Sequence, residues 1–235
     1  MRAIKLLFLL SVFTLPVLVF YSCESDPITS VNQDNIYQIY DCRYNADSNW
    51  TYARATFRLN NANGSYITLT GATSGVTFNG NSMTEISIFG VVYYQYGVGG
   101  FQNPYQYVYT DANSNTFSNS TSLSSMAISF QSPPTVVMQS SGTTFNFTSS
   151  VNSGEKVTLN IYNASNDSLV IQRANQTNGS NSFSITSSDL SPLTTGNYYA
   201  QLLRQDQTGL SQQNSVGGVM NRTYVSAKAA FTLTP

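Results

Sequence analysis

Residues that could carry catalytic or metal chemistry are scarce in this chain of 235 residues. Histidine is absent, which removes the commonest general base and metal ligand and excludes Ser-His-Asp and Cys-His catalysis. The two cysteines, Cys23 and Cys42, do not form the closely spaced pair that zinc sites use. Eleven acidic residues remain, and nothing in their spacing selects a pair of catalytic carboxylates. We therefore predict that the protein is not an enzyme and has no cofactor or catalytic metal.

One segment, Asp111–Asn115, imitates the start of a calcium loop because side chains with oxygen ligands alternate along it. Thr116 and Ser122 stand where such a loop has its glycine and its bidentate glutamate, so we predict a polar turn instead. The glycine-rich stretch Gly97–Gly100 lacks the Lys-Ser/Thr pair and the helix that phosphate binding needs. We interpret these glycines as hairpin turns.

The aromatic stretch Val91–Tyr109 is the sequence feature that could bind a ligand. An exposed row of tyrosines could stack against sugar rings, which present C–H faces to aromatic systems. The alternative is a cross-strand aromatic ladder that fills the core. Burial of the larger apolar area favours the core, so we predict that Tyr94, Tyr96 and Tyr107 point inward and that Tyr93 is exposed.

Three aromatic residues are left as candidate ligand-binding residues: Trp50, Tyr93 and Phe101. A row of exposed Trp and Tyr beside a polar groove would favour glycan binding. Two converging acids in a cleft would favour a hydrolase, and an exposed edge strand would favour assembly or adhesion.

The composition indicates a β-rich fold. Only 9% of the residues are charged and 13% are aromatic, which is not the composition of a disordered chain. Thr, Val, Tyr and Phe are residues that pleated sheets favour. The net charge of −1 and the absence of a basic tract argue against nucleic acid as a partner.

Alternation of apolar and polar residues predicts strands along most of the chain. In Thr51–Asn60, Ala53, Ala55 and Phe57 share one face, and the intervening residues share the other. The further predicted strands are 66–69, 76–78, 86–89, 91–98, 105–110, 126–130, 135–138, 143–148, 157–162, 168–172, 182–186, 196–204 and 224–232. In the strand 157–162 the odd positions are expected to face inward.

The pair Pro133-Pro134 predicts a domain boundary, because consecutive prolines cannot continue a strand ladder. It divides the chain into residues 35–131, a linker at 132–134, and residues 135–235. The second segment resembles bacterial immunoglobulin-like and fibronectin-III-like modules in the strings 157–162, 189–193 and 196–202. We predict an all-β fold of two tandem antiparallel β-sandwich domains, of which the second is immunoglobulin-like.

The first 22 residues have the pattern of a secretory signal peptide. Arg2 and Lys5 precede the uncharged stretch Leu6–Phe20, which is short for a spanning helix, although an uncleaved anchor is the alternative. The following Ser22-Cys23 resembles the cleavage site of bacterial lipoproteins, and the acidic residues after it resemble Bacteroidetes-type surface lipoproteins.

That resemblance implies acylation of Cys23 by chains such as palmitate, an outer-membrane location with surface exposure, and a spacer over residues 23–34. Cys42 is then a lone thiol and a small buried hydrophobe, while a Cys23–Cys42 disulfide is the alternative. Asp167-Ser168-Leu169 resembles the short O-glycosylation motif of Bacteroidetes secreted proteins, which implies a glycan on Ser168.

We predict a lipid-anchored cell-envelope protein with a non-catalytic binding, adhesion or structural role. The alternative is a glycan-capturing accessory lipoprotein of a polysaccharide-uptake system. Its partners would be the membrane, through the lipid, and a protein or glycan at the cell surface.

Overall fold

The computed structural model describes residues 25–235, so the predicted signal peptide and Cys23 lie outside the described residues. The strands before the Pro-Pro pair are β1 (Asp26–Pro27), β2 (Ile36–Asn45), β3 (Trp50–Leu59), β4 (Ile67–Thr68), β5 (Gly75–Phe78), β6 (Asn81–Ser82), β7 (Thr84–Ile88), β8 (Val91–Gly99), β9 (Tyr105–Thr110) and β10 (Thr116–Thr121). Those after it are β11 (Val136–Met138), β12 (Thr143–Asn146), β13 (Lys156–Asn163), β14 (Leu169–Asn175), β15 (Ser182–Ile185), β16 (Gly196–Gly209), β17 (Gly218–Val225) and β18 (Ala229–Thr234).

Helical structure in the described part of the chain is limited to short segments. These are α1 (Ser187–Leu190) and three 3-10 turns at Ile28–Ser30, Gln33–Asn35 and Ser124–Met126. Between Ser25 and Pro235, no helix has the length and apolar character to cross a membrane. The prediction of a mainly β protein is confirmed.

Period-2 alternation accounts for the two central strands of the first half. In β3 the predicted inward residues Ala53, Ala55 and Phe57 are buried, and Tyr52 on the opposite face is exposed. In β2 every second residue from Ile36 is buried, but this strand was not predicted because Gln38 interrupts its apolar series. We did not predict β10 either, since its Ser, Thr and Asn residues carry little apolar signal.

Two predicted strands are wrong. Residues 126–130 form the end of a 3-10 turn and a single bridge from Phe130 to Phe147. Residues 224–232 are divided between β17 and β18. The break falls at Ser226, whose hydroxyl accepts from the Leu202 N–H and donates to the Ala227 carbonyl, so local hydrogen bonds replace the strand ladder.

The first core lies between two layers. One layer contains β2, β3, β8 and β7, and the other is a four-stranded sheet in the order β10-β9-β5-β6. Tyr107 and Tyr94 are buried as predicted, and Tyr96 is partly buried against the same core. The expected aromatic ladder between β8 and β9 is wrong, because these strands belong to different sheets. The aromatic contacts instead cross the core, as in the stack of Tyr40 on Tyr107, with ring centroids 4.6 Å apart.

The second core lies between β13, β16 and β18 and the two-stranded β12–β15 sheet. Val157, Leu159 and Ile161 are buried, as predicted for the odd positions of this strand. At its edge Arg204 is buried, and its Nε donates to the Glu155 carboxylate over 3.0 Å. The Arg204 Nη2 also donates to the Ser150 carbonyl over 2.7 Å, so the ion pair joins β16 to the loop before β13.

One sheet runs through both halves of the molecule. The 14-residue strand β16 pairs with β13 and β18 in the second half and then with β17. Strand β17 pairs in parallel with β2, and its Met220 is buried in the first core. The division into residues 35–131 and 135–235 stays a prediction, but a strand from the second segment completes the sheet of the first.

The strand directions define two ends of the first half. Ile36 pairs with Leu59 at one end, which we call the Ile36 end. At the other, the Trp50 end, Trp50 pairs with both Asn45 and Gly99. Because β16 approaches β17 from the second core, the second half adjoins the Trp50 end.

Candidate functional site

A shallow concave surface covers the side of β2, β3 and β8 that points away from the first core. Its concavity of about 800 Å³ is bordered by aromatic, amide and charged side chains. The outward residues that line the concavity are Asp41, Arg43, Asn45, Tyr52, Arg54, Thr84, Tyr93, Gln95, Gly97 and Thr223. Trp50 lies beside the concavity, in the same row as Asn45 and Gly99, and we call Trp50 together with these residues the Trp50 face. Neighbouring strands place Thr223, Arg43, Tyr52 and Gly97 in one row, and Asn221, Asp41, Arg54, Gln95 and Thr84 in the next.

The indole of Trp50 lies flat on the backbone of β8. A Cβ at Gly97 would approach the Trp50 Nε1 to 2.9 Å, and one at Gly99 would approach the six-membered ring to 3.8 Å. Two glycines on the same strand face therefore leave room for the ring. Since one ring face rests on β8 and the side chain is 39% exposed, the other ring face is open to solvent.

Two tyrosines extend the aromatic surface from Trp50. Tyr52 is exposed, and its ring centroid is 6.4 Å from that of Trp50. Tyr93 is half-buried beneath the Arg54 guanidinium, whose carbon is 5.5 Å from the ring centroid. A smaller concavity of about 200 Å³ continues past Tyr93 to Tyr66. With about 3.3 Å per residue, the row of Trp50 and the row of Tyr93 are about 20 Å apart.

Polar groups of the Trp50 face differ in how far the protein satisfies them. The Asp41 carboxylate already has hydrogen-bond partners within the protein, because it accepts from the Arg54 Nε and the Asn221 Nδ2, both over 2.9 Å. The side chain of Arg43 makes no hydrogen bond or ion pair within residues 25–235. Two arginines, Arg43 and Arg54, against the single aspartate Asp41 give the Trp50 face a positive balance. It can therefore bind hydroxyl groups and favours acidic over basic ligands.

The structure brings two of the three candidate ligand-binding residues together and places the third elsewhere. Trp50 and Tyr93 lie on the Trp50 face. Phe101 is 38% exposed, but its ring packs on Tyr44 and Tyr105 at the edge of the first core.

Sequence reasoning missed three features of the face: Tyr52, Arg43 and the glycine floor. The alternation in β3 could have identified Tyr52, since it shares the outward side with Arg54. The interpretation of the three glycines in 97–100 as turns is wrong for Gly97 and Gly99. Both lie within β8, whereas Gly100 has the positive φ of 84° that a turn requires.

The calcium-like segment forms the turn between β9 and β10, as predicted. Asp111 is buried, and its carboxylate accepts from the backbone N–H of Asn113 and Asn115 and from the Asn115 side chain. Within residues 25–235, no group of three or more Cys, Asp or Glu side chains could hold a metal ion.

The described cysteine, Cys42, is a buried free thiol in the middle of β2. Burial raises the pKa of its thiol to about 12, so the group is a neutral hydrophobe at neutral pH. Ser168 is exposed in the turn between β13 and β14, which leaves its hydroxyl accessible. Its O-glycosylation, like the acylation of Cys23, stays a prediction.

No family model and no curated protein matches the chain. Among solved structures it is weakly similar to SGBP-B of the mixed-linkage glucan utilization locus of Bacteroides ovatus, solved with a mixed-linkage heptasaccharide. The identity is 16% and the TM-score 0.24, over 90% of this chain and 47% of that one. Two adhesins are similar at the same TM-score of 0.24: a 1.5-MDa bacterial ice-binding adhesin, and InvE of Yersinia pseudotuberculosis. Their identities are 15% and 12%, over 86% and 87% of this chain and 66% and 60% of theirs. The chain thus spans about half the length of the Bacteroides protein, and all three are bacterial surface proteins.

Proposed function

We propose that this protein is a lipid-anchored, non-catalytic binding protein of the bacterial cell surface whose Trp50 face captures a glycan chain. The observation that carries the proposal is the Trp50 indole, which lies flat on a floor of two glycines with one ring face open to solvent. An exposed Trp in this position contributes little to the core. It is suited to stack against the C–H face of a sugar ring.

The surroundings of the indole suit a polysaccharide more than an apolar ligand. Hydrogen-bond donors and acceptors lie beside the aromatic rings. Asn45 is paired with Trp50, Arg43 is paired with Tyr52, and Gln95 lies in the next row. The aromatic residues extend over about 20 Å, which suits an extended chain better than a single small molecule. The concavity is open and shallow, so a long polymer can enter it from the side.

The composition of the same surface supports binding without catalysis. Asp41 is the one acidic residue that defines the Trp50 face, and its carboxylate is held by two hydrogen bonds. Glycoside hydrolysis uses two carboxyl groups on opposite sides of the scissile bond. A capture role is therefore the function that these residues support best.

Replacing Trp50 by leucine is expected to weaken polysaccharide binding by at least about tenfold, or about 1.4 kcal/mol, because leucine offers no flat ring to a sugar. Affinity electrophoresis of the full-length protein in detergent would measure this on gels containing neutral or uronate-bearing polysaccharides. Phe101→Leu is the matched control, since Phe101 is as exposed as Trp50 but lies off the Trp50 face. Equal retardation of wild type and Trp50→Leu on every polysaccharide would refute the proposal and favour a protein partner.

A second prediction tests the glycine floor without removing the indole. Gly97→Val is expected to abolish polysaccharide retardation while leaving the melting temperature near that of the wild type, because the new Cβ would displace the ring rather than the backbone. Gly75→Val is the control, since it lies in β5 and a Cβ there meets no atom within 4 Å. Unchanged retardation with Gly97→Val would show that the flat position of Trp50 is irrelevant to binding.

A further inference from the structure

The tip of the β7–β8 hairpin presents apolar side chains to solvent. Phe89 is 98% exposed, and the flanking Ile88 and Val91 are exposed as well. Phe89 and Gly90 connect the two strands with positive φ angles of 49° and 79°. The tip therefore projects a large apolar ring that packs on neither core.

The residues of this tip do not follow the rules of hairpin stability. A two-residue turn with both φ angles positive favours Asn-Gly or Asp-Gly, and a bulky side chain is an outlier there. Phe89 combines that unfavourable backbone with a fully hydrated aromatic ring. Positions that break local rules with no gain to the fold are expected at functional sites.

The hairpin tip lies at the Ile36 end of the first half. Strand β8 pairs with β3 from Trp50–Gly99 to Ala55–Tyr94, so its start at Val91 lies towards Leu59. The Trp50 end is eight residues away along β8, or about 26 Å.

The described chain also begins at the Ile36 end. Strand β4 lies next to β3 through the antiparallel bridge between Arg58 and Tyr66, and β1 runs parallel to β4. Strand β1 therefore starts at the Ile36 end and runs away from it, so Ser25 lies at the Ile36 end. The Tyr94 hydroxyl accepts from the Leu69 N–H over 2.6 Å, which joins this region to β8.

Little chain is left to act as a spacer. Within the predicted spacer, residues 25–34 pack against the first core, with Ile28 fully buried and the Gln33 side chain donating to the Ile28 carbonyl over 2.7 Å. Two residues of extended chain span at most about 7 Å, so an acylated Cys23 would hold the Ile36 end against the bilayer.

We infer that the hairpin tip Ile88–Val91 inserts into the lipid surface to which Cys23 tethers the protein. The inference rests on the lipid anchor of the proposed function. An aromatic ring with aliphatic neighbours is suited to the boundary between headgroups and acyl chains, about 5–10 Å below the surface. A second contact beside the lipid fixes the orientation of the molecule and holds the Trp50 end away from the membrane.

The test uses the single native tryptophan as its internal control. Full-length protein expressed with its own signal peptide is reconstituted into phosphatidylethanolamine–phosphatidylglycerol vesicles whose acyl chains are brominated, and indole emission is compared with unbrominated vesicles. In the double variant Trp50→Phe/Phe89→Trp, we expect about a twofold or greater loss of emission, because the ring lies among the acyl chains. In the wild type, emission from Trp50 is expected to be unchanged. The double variant should fold, since neither Phe89 nor Trp50 belongs to either core or packs against one.

Other results would overturn the inference in distinguishable ways. A vesicle-bound double variant with unquenched emission would refute tip insertion and leave the anchor standing. Protein that remains in solution would refute the anchor as well, and equal quenching of both proteins would refute the upright orientation. An emission shift that depends on protein concentration without lipid would assign the tip to a second copy of the chain. None of these results would alter the polysaccharide test.

Discussion

Replacing Tyr107 by alanine is expected to lower the free energy of unfolding by about 3–5 kcal/mol, as large-to-small changes of buried aromatics do. Tyr107 is fully buried, stacks on Tyr40 and contacts Phe78 edge to face at 5.3 Å. Its hydroxyl donates to the Asp41 carbonyl over 2.7 Å, so the side chain joins the two layers of the first core. Urea denaturation followed by circular dichroism would measure the loss.

Two variants separate the parts of this effect. Tyr107→Phe removes only the hydrogen bond to Asp41 and is expected to cost about 1 kcal/mol. Tyr93→Ala removes a half-buried ring from the side of β8 that points away from the first core. It is expected to change the free energy of unfolding by less than about 1 kcal/mol. A stable Tyr107→Ala protein that had lost polysaccharide binding would instead favour the tyrosines of β9 as the binding surface.

Removing the carboxylate of Glu155 is expected to destabilise the protein by about 3–5 kcal/mol at neutral pH, because Arg204 would remain charged and buried without its partner. Glu155→Gln keeps the size of the side chain and isolates the loss of charge. The control is Arg54→Gln, which breaks the Arg54–Asp41 pair, where the arginine side chain is 54% exposed. That change is expected to cost less than about 1 kcal/mol, since exposed ion pairs contribute little.

The Glu155–Arg204 pair also predicts a dependence on pH. Burial raises the pKa of Glu155, but hydrogen bonds from Arg204 and Asn152 outweigh that effect and leave the pKa below its ordinary value of 4.5. A group whose pKa falls on folding stabilises the protein above its unfolded pKa and loses that contribution as the pH falls through its folded pKa. The stability difference between wild type and Glu155→Gln should therefore narrow below about pH 4.5. A difference that stayed constant down to pH 3 would contradict this assignment.

Local alternation was sufficient to predict β3, β9 and β13. One side of each strand faces a core, so apolar residues recur at every second position of its sequence. It was also sufficient to place Tyr94 and Tyr107 inside, since the larger apolar side of each strand is buried. It could not pair the strands. The expected ladder between β8 and β9 assumed that consecutive strands are neighbours, whereas both strands pair with earlier ones.

The Trp50 face was predictable only in part for the same reason. Trp50 and Tyr93 were candidates from their residue types, but the floor beneath Trp50 comes from glycines 47 and 49 positions later. Only the register of β3 against β8 brings them together. The apolar hairpin tip gave no signal in the sequence, because Ile88-Phe89 continues the pattern of a buried strand up to the turn.

The parallel pairing of β2 with β17 determines when the first half can finish folding. Gln38 pairs with Gly218, so 180 residues must be synthesised after one strand before its neighbour exists. During that interval β2 is an edge strand with unpaired N–H and C=O groups, the kind of edge that recruits other chains. Residues near the amino end are therefore the first to be made and among the last to be completed. We expect this period, rather than the finished protein, to be the stage most vulnerable to aggregation and most dependent on chaperones.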